Sequence, residues 1–188
     1  NNSLLYFNKN WLRECQLLSL MWKRLNMQVI VPEKSVVENV LGNVLEENPV
    51  RFGKQPLKLA EKQKEAVLLA ISSPFMIVSG GPGTGKTSVA VTMLRVLKQL
   101  GLAERPALAA PTGRAAKRMS ESVVNSLRSL ENTEQLLPDQ ELLEVAAEAK
   151  TLHRLLGYSP DERSFRHHEY NPLEHDFLII DEGSMIDQ

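Results

Sequence analysis

The chain has 188 residues, 43% of them hydrophobic and 24% charged, and its 22 basic and 23 acidic side chains leave a net charge of −1. These values describe one globular domain, or one with an appendage, and exclude disorder over the whole length. One cysteine, Cys15, rules out an internal disulfide and a cysteine-based zinc site, and no apolar run approaches the roughly 20 residues of a membrane-spanning helix.

The N-terminus shows no basic stretch before an apolar core, so it does not read as a secretory signal. With a lone thiol, this predicts a reducing, cytoplasmic setting and no membrane. Bulk charge makes no case for nucleic acid; local charge does. Residues 101–120 carry Arg105, Arg114, Lys117 and Arg118 against Glu104, whereas residues 131–149 carry six acids and no base.

Residues 1–27 predict an amphipathic helix. Leu4, Phe7, Trp11, Cys15, Leu18, Trp22 and Leu25 fall on one face, and Ser3 suits the N-cap. Such a stripe is the ordinary mark of burial, so packing against the next helix is expected; a binding surface is the alternative. After Pro32 a second helix follows, with Val36, Val37, Val40, Leu41, Val44 and Leu45 inward and Gly42 as a weak point. Residues 47–58 hold two prolines and a glycine and read as a linker. The domain division is therefore 1–56, a helical N-terminal segment and linker, and 57–188.

From residue 57 strands and helices alternate. Residues 60–71 predict a helix and 75–79 a short buried strand. Residues 86–100 predict a helix stopped by Gly101, and 106–110 a second strand. A helix over 113–130 puts Ala116, Met119, Val123, Leu127 and Leu130 on one face. Acidic helical material covers 131–149. A short helix over 151–156 ends at Gly157, and after a polar loop 177–180 form a third strand. This alternation predicts an α/β fold with a parallel sheet and flanking helices.

Residues 80–87 read GGPGTGKT and match the phosphate-loop pattern G-x-x-x-x-G-K-S/T, between an apolar run and a helix. Gly80, Gly81, Pro82, Gly83, Thr84 and Gly85 let successive backbone N–H groups converge on phosphate oxygens without Cβ clashes. Lys86 is expected to reach the β- and γ-phosphates of ATP, and the Thr87 hydroxyl to ligate Mg²⁺. The third strand runs into Asp181 and Glu182. A carboxylate pair at the C-terminal end of a buried strand predicts Mg²⁺ held by Asp181 and an attacking water oriented by Glu182.

Residues 110–119, APTGRAAKRM, close the second strand. TLHRLLG follows at 151–157 and DEGSM at 181–185. With GGPGTGKT, in this order, they resemble motifs I, Ia and II of superfamily 1 helicases. Within that superfamily they are similar to the RecD family, the alpha subunits of exodeoxyribonuclease V. FRHHEYNPLEHDFLIIDE at 165–182 and YFNKNWLRE at 6–14 extend the similarity over most of the chain.

The resemblance implies a RecA-like motor domain moving 5′ to 3′ on single-stranded DNA within a helicase–nuclease that processes double-strand breaks for recombinational repair. RecB- and RecC-type subunits and single- or double-stranded DNA are the implied partners. Pro111, Thr112 and Gly113 resemble residues that touch the DNA backbone. Arg114, Lys117 and Arg118 either extend that surface or form a solvated helix face. Thr151 and His153 match the TLHRLLG motif, and Thr151 suits an N-cap equally well. Gln63, 17 residues before Gly80, resembles the adenine-pairing glutamine of helicases; a solvated helix glutamine is the alternative.

Two departures stand out. Gly183 replaces the alanine usual after the motif II carboxylates, which adds backbone freedom there. Motifs III to VI and the second motor domain are not in these residues, so the fragment itself is expected to hydrolyse ATP poorly. In the resembled fold the next strand lies between the two motif strands, at 75–79 and 177–180. Their direct pairing, a neighbour's strand or a continuation of the chain are the open alternatives. Another superfamily 1 motor, either stand-alone or a relaxase helicase, and a subunit-docking module with a secondary nucleotide site are the competing functions. The four histidines lack zinc-ligand spacing.

Overall fold

A computed structural model describes residues 7–52, 55–81, 83–130 and 137–186. The elements, in chain order, begin with helix α1 (Asn8–Leu25) and helix α2 (Lys34–Gly42), which runs into a π-turn at Asn43–Glu47. The short strands β1 (Arg51–Phe52) and β2 (Gln55–Pro56) and the helices α3 (Glu61–Ser72) and α4 (Lys86–Gln99) follow. Then come β3 (Pro106–Ala110), α5 (Gly113–Arg128), α6 (Leu137–Ala147), β4 (Lys150–Thr151) and α7 (Leu152–Leu155). A small hairpin of β5 (Tyr158–Ser159) and β6 (Ser164–Phe165) leads to β7 (Phe177–Ile180).

The architecture is a mixed α/β fold in which a parallel three-stranded sheet, order β4–β3–β7, is flanked by helices. β3 is its centre because PALAA offers small and apolar side chains on both faces, all five of them buried. Register sets Leu108 beside Ile179, and Ala107 and Ala109 beside Leu178 and Ile180. On one face Leu108, Phe177 and Ile179 pack with Val91 and Leu94 of α4, Met119, Val123 and Leu127 of α5, and Leu142 of α6. On the other, Ala107 and Ala109 pack with Leu155 of α7 and Leu173. That face of β7 is less covered, with Leu178 and Ile180 exposed.

The α5 face forms as its 3.6-residue period predicts: Ala116, Met119, Val123 and Leu127, with Leu130 just beyond, are all buried. A second apolar cluster joins α2 to the P-loop helix. Val44 is buried beside Val67 and Ile71 of α3 and Val89, Met93, Val96 and Leu97 of α4, with Val37, Val40, Leu41 and Leu45 against them. Gly42 does not end the helical path; the chain passes through it in right-handed helical conformation into the π-turn. The expected linker holds the β1–β2 antiparallel pair, and Val50 and Leu59 at its ends are buried.

One buried ion pair ties these layers together. Arg95 of α4 and Asp139 of α6 are both fully buried, with Arg95 Nε 2.9 Å from Asp139 Oδ1 and Nη2 3.1 Å from Oδ2. Arg95 Nη1 donates to the Asn48 carbonyl at 2.7 Å and the Val44 carbonyl at 3.4 Å. The guanidinium fork thus satisfies two carbonyls at the end of the helical N-terminal segment and one carboxylate at once.

Two expectations fail. Residues 75–79 are not a buried strand: they form no ladder among the described residues, and Phe75, Ile77 and Val78 are 43%, 76% and 42% exposed. An apolar run becomes a strand only where a neighbour takes its backbone N–H and C=O groups. Among the described residues β7 pairs with β3 alone, and residues 75–79 do not pair with it. Likewise α1 does not pack its stripe into the core. It buries no residue, and Trp11 and Trp22 are 54% and 71% exposed. Its anchor is polar: Arg24 Nε donates to the Pro74 carbonyl at 3.0 Å. Ser3 and Leu4 lie outside the described residues.

Candidate nucleotide and nucleic-acid site

The phosphate loop is shaped by its own side chains. Thr84 Oγ1 donates to the Gly81 carbonyl at 2.8 Å, and the Lys86 ammonium donates to the Gly80 and Gly81 carbonyls at 2.6 and 2.9 Å. Pro82 lies outside the described residues. Gly85 caps α4 at φ +79°, a left-handed conformation, and a Cβ there would come within 2.9 Å of Gln63 Nε2. No side chain caps this helix, and its first internal bond runs from Val89 N–H to the Gly85 carbonyl. The N–H groups of Gly85, Lys86, Thr87 and Ser88 therefore have no partner within the helix, where its dipole end is positive. That donor set fits a polyphosphate.

Gln63 is drawn into this loop. Its Oε1 accepts the Ala60 N–H at 2.8 Å and its Nε2 donates to the Thr84 carbonyl at 2.9 Å. It is thus neither free nor merely solvated: it spans the start of α3 and the phosphate loop, and one amide hydrogen and one lone pair are left for a ligand.

At the end of β7, Asp181 N–H donates to the Ala109 carbonyl at 3.0 Å, which continues the ladder to the first carboxylate. Asp181 Oδ1 accepts the Glu182 N–H at 2.9 Å, leaving Oδ2 for a cation. Glu182 sits at φ 55°, an uncommon left-handed conformation for a residue with a side chain. Both carboxylates are exposed. A free carboxylate oxygen on Asp181 and the Thr87 hydroxyl are each the kind of hard oxygen donor that Mg²⁺ takes alongside several waters of its own. Among the described residues no three His, Cys, Asp or Glu side chains gather as a metal cluster.

Gly183 opens a single 3₁₀ turn, Gly183–Met185, without a left-handed φ, and a Cβ built on it meets nothing within 4 Å. The glycine is therefore not required by the turn. Gly183→Ala is expected to leave nucleotide affinity unchanged and to raise stability by about 0.4–1 kcal/mol through the unfolded state. A thermal melt and a nucleotide titration check this; a tenfold loss of affinity would show that the freedom is needed.

The nucleic-acid candidates gather at one edge of the sheet. Ala110, the last residue of β3, pairs in register with Thr151 of β4, so Pro111 and Thr112 leave the sheet beside Thr151. Thr112 Oγ1 caps α5 by accepting Ala115 N–H at 3.2 Å, and Thr151 Oγ1 caps α7 by accepting Arg154 N–H at 3.3 Å. The capping role leaves each hydroxyl proton to donate elsewhere, for example to a phosphate oxygen. Gly113, Arg114 and His153 are exposed next to these caps. Lys117 faces Glu121 at 3.8 Å on the solvent side of α5.

A family profile described as an AAA domain matches residues 63–188. The chain belongs to the AAA domain family. The chain is 43% identical over 132 residues, 67% of its length and 23% of the relative, to RecBCD enzyme subunit RecD of Mycolicibacterium smegmatis. A RecBCD enzyme subunit RecD of Buchnera aphidicola is 29% identical over 97% of this chain and 28% of its own length. An ATP-dependent RecD2 DNA helicase of Deinococcus radiodurans is 33% identical over 68% of this chain and 14% of its own length. The chain thus spans less than a third of each of these relatives. No helix among the described residues is long and apolar enough to cross a membrane.

Sequence reasoning missed the Arg95–Asp139 pair. An arginine in the middle of an apolar helical stripe, VAVTMLRVLKQ, was the available signal. It also missed the hairpin β5–β6, whose two-residue strands are too short for an alternating pattern.

Proposed function

We propose that this AAA domain is the nucleotide-binding part of an ATP-dependent 5′-to-3′ DNA helicase of RecD type, acting in recombinational repair of double-strand breaks. The carrying observation is the sheet edge. Three adjacent parallel strands lead, at their C-terminal ends, to Thr112, Thr151 and Asp181, so candidate DNA contacts and a candidate metal carboxylate leave the same scaffold. The names RecD and RecD2 among the relatives support the reading.

In this reading Lys86 and the N–H groups of residues 83–87 hold the ATP phosphates. Thr87 and Asp181 hold Mg²⁺, which supplies charge neutralisation at the transferred phosphate. Glu182 orients the attacking water, and Gln63 links the adenine side to the loop through Thr84. Pro111, Thr112, Gly113, Arg114 and Thr151 track the DNA backbone, and His153 lies on the same DNA-binding surface. The exposed Trp11, Leu18 and Trp22 of α1 meet a RecB- or RecC-type subunit, and alignment of the Buchnera relative over 97% of this chain supports that assignment. A self-contained motor is the second reading, supported by the identity to the RecD2 helicase.

The test is unwinding by the full-length protein of duplexes with a 5′ or a 3′ single-stranded tail. ATP-dependent separation of the 5′-tailed substrate is expected, and no DNA-stimulated ATP hydrolysis would overturn the proposal. Arg114→Glu with Lys117→Glu should lower the steepness of the salt dependence by about 0.7 per lost phosphate contact on a single strand. An unchanged slope would make this face of α5 a solvated one.

A further inference from the structure

Three aromatic rings stand together beyond the Thr151 cap. His153 meets Tyr158 edge-on with centroids 5.3 Å apart, Phe165 lies 5.2 Å from Tyr158 and 5.8 Å from His153. The hairpin that presents two of them is specified by Gly157. Its φ of +67° turns the chain out of α7 into β5, and a Cβ there would lie 2.8 Å from Arg166 Cβ. The ladder is extended by Arg166 N–H to the Gly157 carbonyl and His167 N–H to the Leu156 carbonyl, both at 3.0 Å.

These rings are not core. Tyr158 and Phe165 are each 40% exposed, His153 is exposed, and none belongs to a buried apolar cluster. A hairpin with two-residue strands has little stability of its own, so solvent-facing rings on it carry a hydration cost that a ligand would relieve. Three arginines surround them, against two acids, Asp161 and Glu162, at the hairpin turn. Arg154, Arg163 and Arg166 are exposed and form no ion pair among the described residues. Arg163 holds a left-handed φ of 50° at the hairpin turn. The cluster is one helical turn from Thr151, hence continuous with the edge that carries Thr112.

We propose that His153, Tyr158 and Phe165 form a stacking platform for the bases of single-stranded DNA whose phosphates run along the Thr112–Thr151 edge. This rests on the DNA-motor reading above. Aromatic faces accept any unstacked base, and the adjacent guanidiniums supply the charge complement for the backbone. The platform reads no sequence, as a translocating motor requires.

The experiment uses the full-length protein with a non-hydrolysable ATP analogue. It compares binding of a mixed-sequence single strand with that of an abasic strand of equal length. The wild type should prefer the base-bearing strand. Tyr158→Leu with Phe165→Leu, which keeps apolar bulk, should weaken that strand by about 5- to 150-fold per stacked base and leave the abasic strand unchanged. Tyr158→Phe should behave as wild type. If the double variant still prefers bases to the same extent, the platform is overturned while the DNA reading stands. Equal weakening on both strands would also overturn it, because the rings would then only hold the hairpin. A wild type that binds neither strand would overturn the DNA reading itself.

Discussion

Replacing Lys86 by alanine is expected to lower DNA-stimulated ATP hydrolysis of the full-length protein by about 10²–10³-fold, the usual loss when one preorganised donor to developing charge is removed. The structure gives two reasons. The ammonium lies over the loop it must serve, 2.6 Å from the Gly80 carbonyl and 2.9 Å from the Gly81 carbonyl. Phosphate oxygens would take over those contacts on binding, so the same side chain shapes the loop and neutralises the ligand. Alanine removes both functions, and the four first-turn N–H groups of α4 are left to act alone. Steady-state assays at saturating ATP and single-stranded DNA measure the effect. Turnover within threefold of wild type would refute the assignment of this loop to the motor's chemistry.

The second large effect concerns stability. Asp139→Ala leaves the Arg95 guanidinium buried with only the Asn48 and Val44 carbonyls as partners. Stranding a buried charge in this way costs about 3–5 kcal/mol. At roughly 2–4 °C per kcal/mol for a domain of this size, the melting temperature should fall by about 6–20 °C. Arg95→Met with Asp139→Leu removes both charges at near-constant volume and should recover most of the loss, because the desolvation penalty disappears with the pair. Thermal or urea unfolding of both variants decides. A loss below about 1 kcal/mol in Asp139→Ala would mean that water reaches this site. The pair joins α4, which begins at Lys86, to α6 and to the end of the N-terminal helical segment. A defect there is therefore expected to reach the phosphate loop as well.

Local chemistry made much of the site legible in advance. Glycine spacing and the lysine at residue 86 specify a phosphate loop, because a backbone cradle with a helix behind it needs few long-range contacts to form. The Thr151 cap was legible for the same reason, since an N-cap bond spans three residues, here Thr151 to Arg154; the Thr112 cap on Ala115 was not read from the sequence. The α5 stripe was legible because burial on a helix repeats with a fixed period.

Partner-dependent features were not legible. The run at 75–79 has the composition of a buried strand, yet composition cannot supply the neighbour whose backbone groups complete a ladder, and apart from the half-buried Met76 the segment is exposed. The stripe on α1 has the period of a buried face, but period says only that one side is apolar, not what covers it. Gln63 could be read as a ligand residue or a solvated one. Folding brings it across 21 residues to the Thr84 carbonyl, a third arrangement. By itself, then, the sequence determined the α/β class, the GGPGTGKT loop, the Thr151 cap and the carboxylate pair at a strand end, because each depends on contacts within a few residues. Only the tertiary structure decided that α4 and α6 meet through a buried ion pair 44 residues apart, that Thr112 and Thr151 share one sheet edge, and that three rings gather beside it. Those juxtapositions depend on which surfaces exclude water together, and that is a property of the packed chain rather than of any one segment.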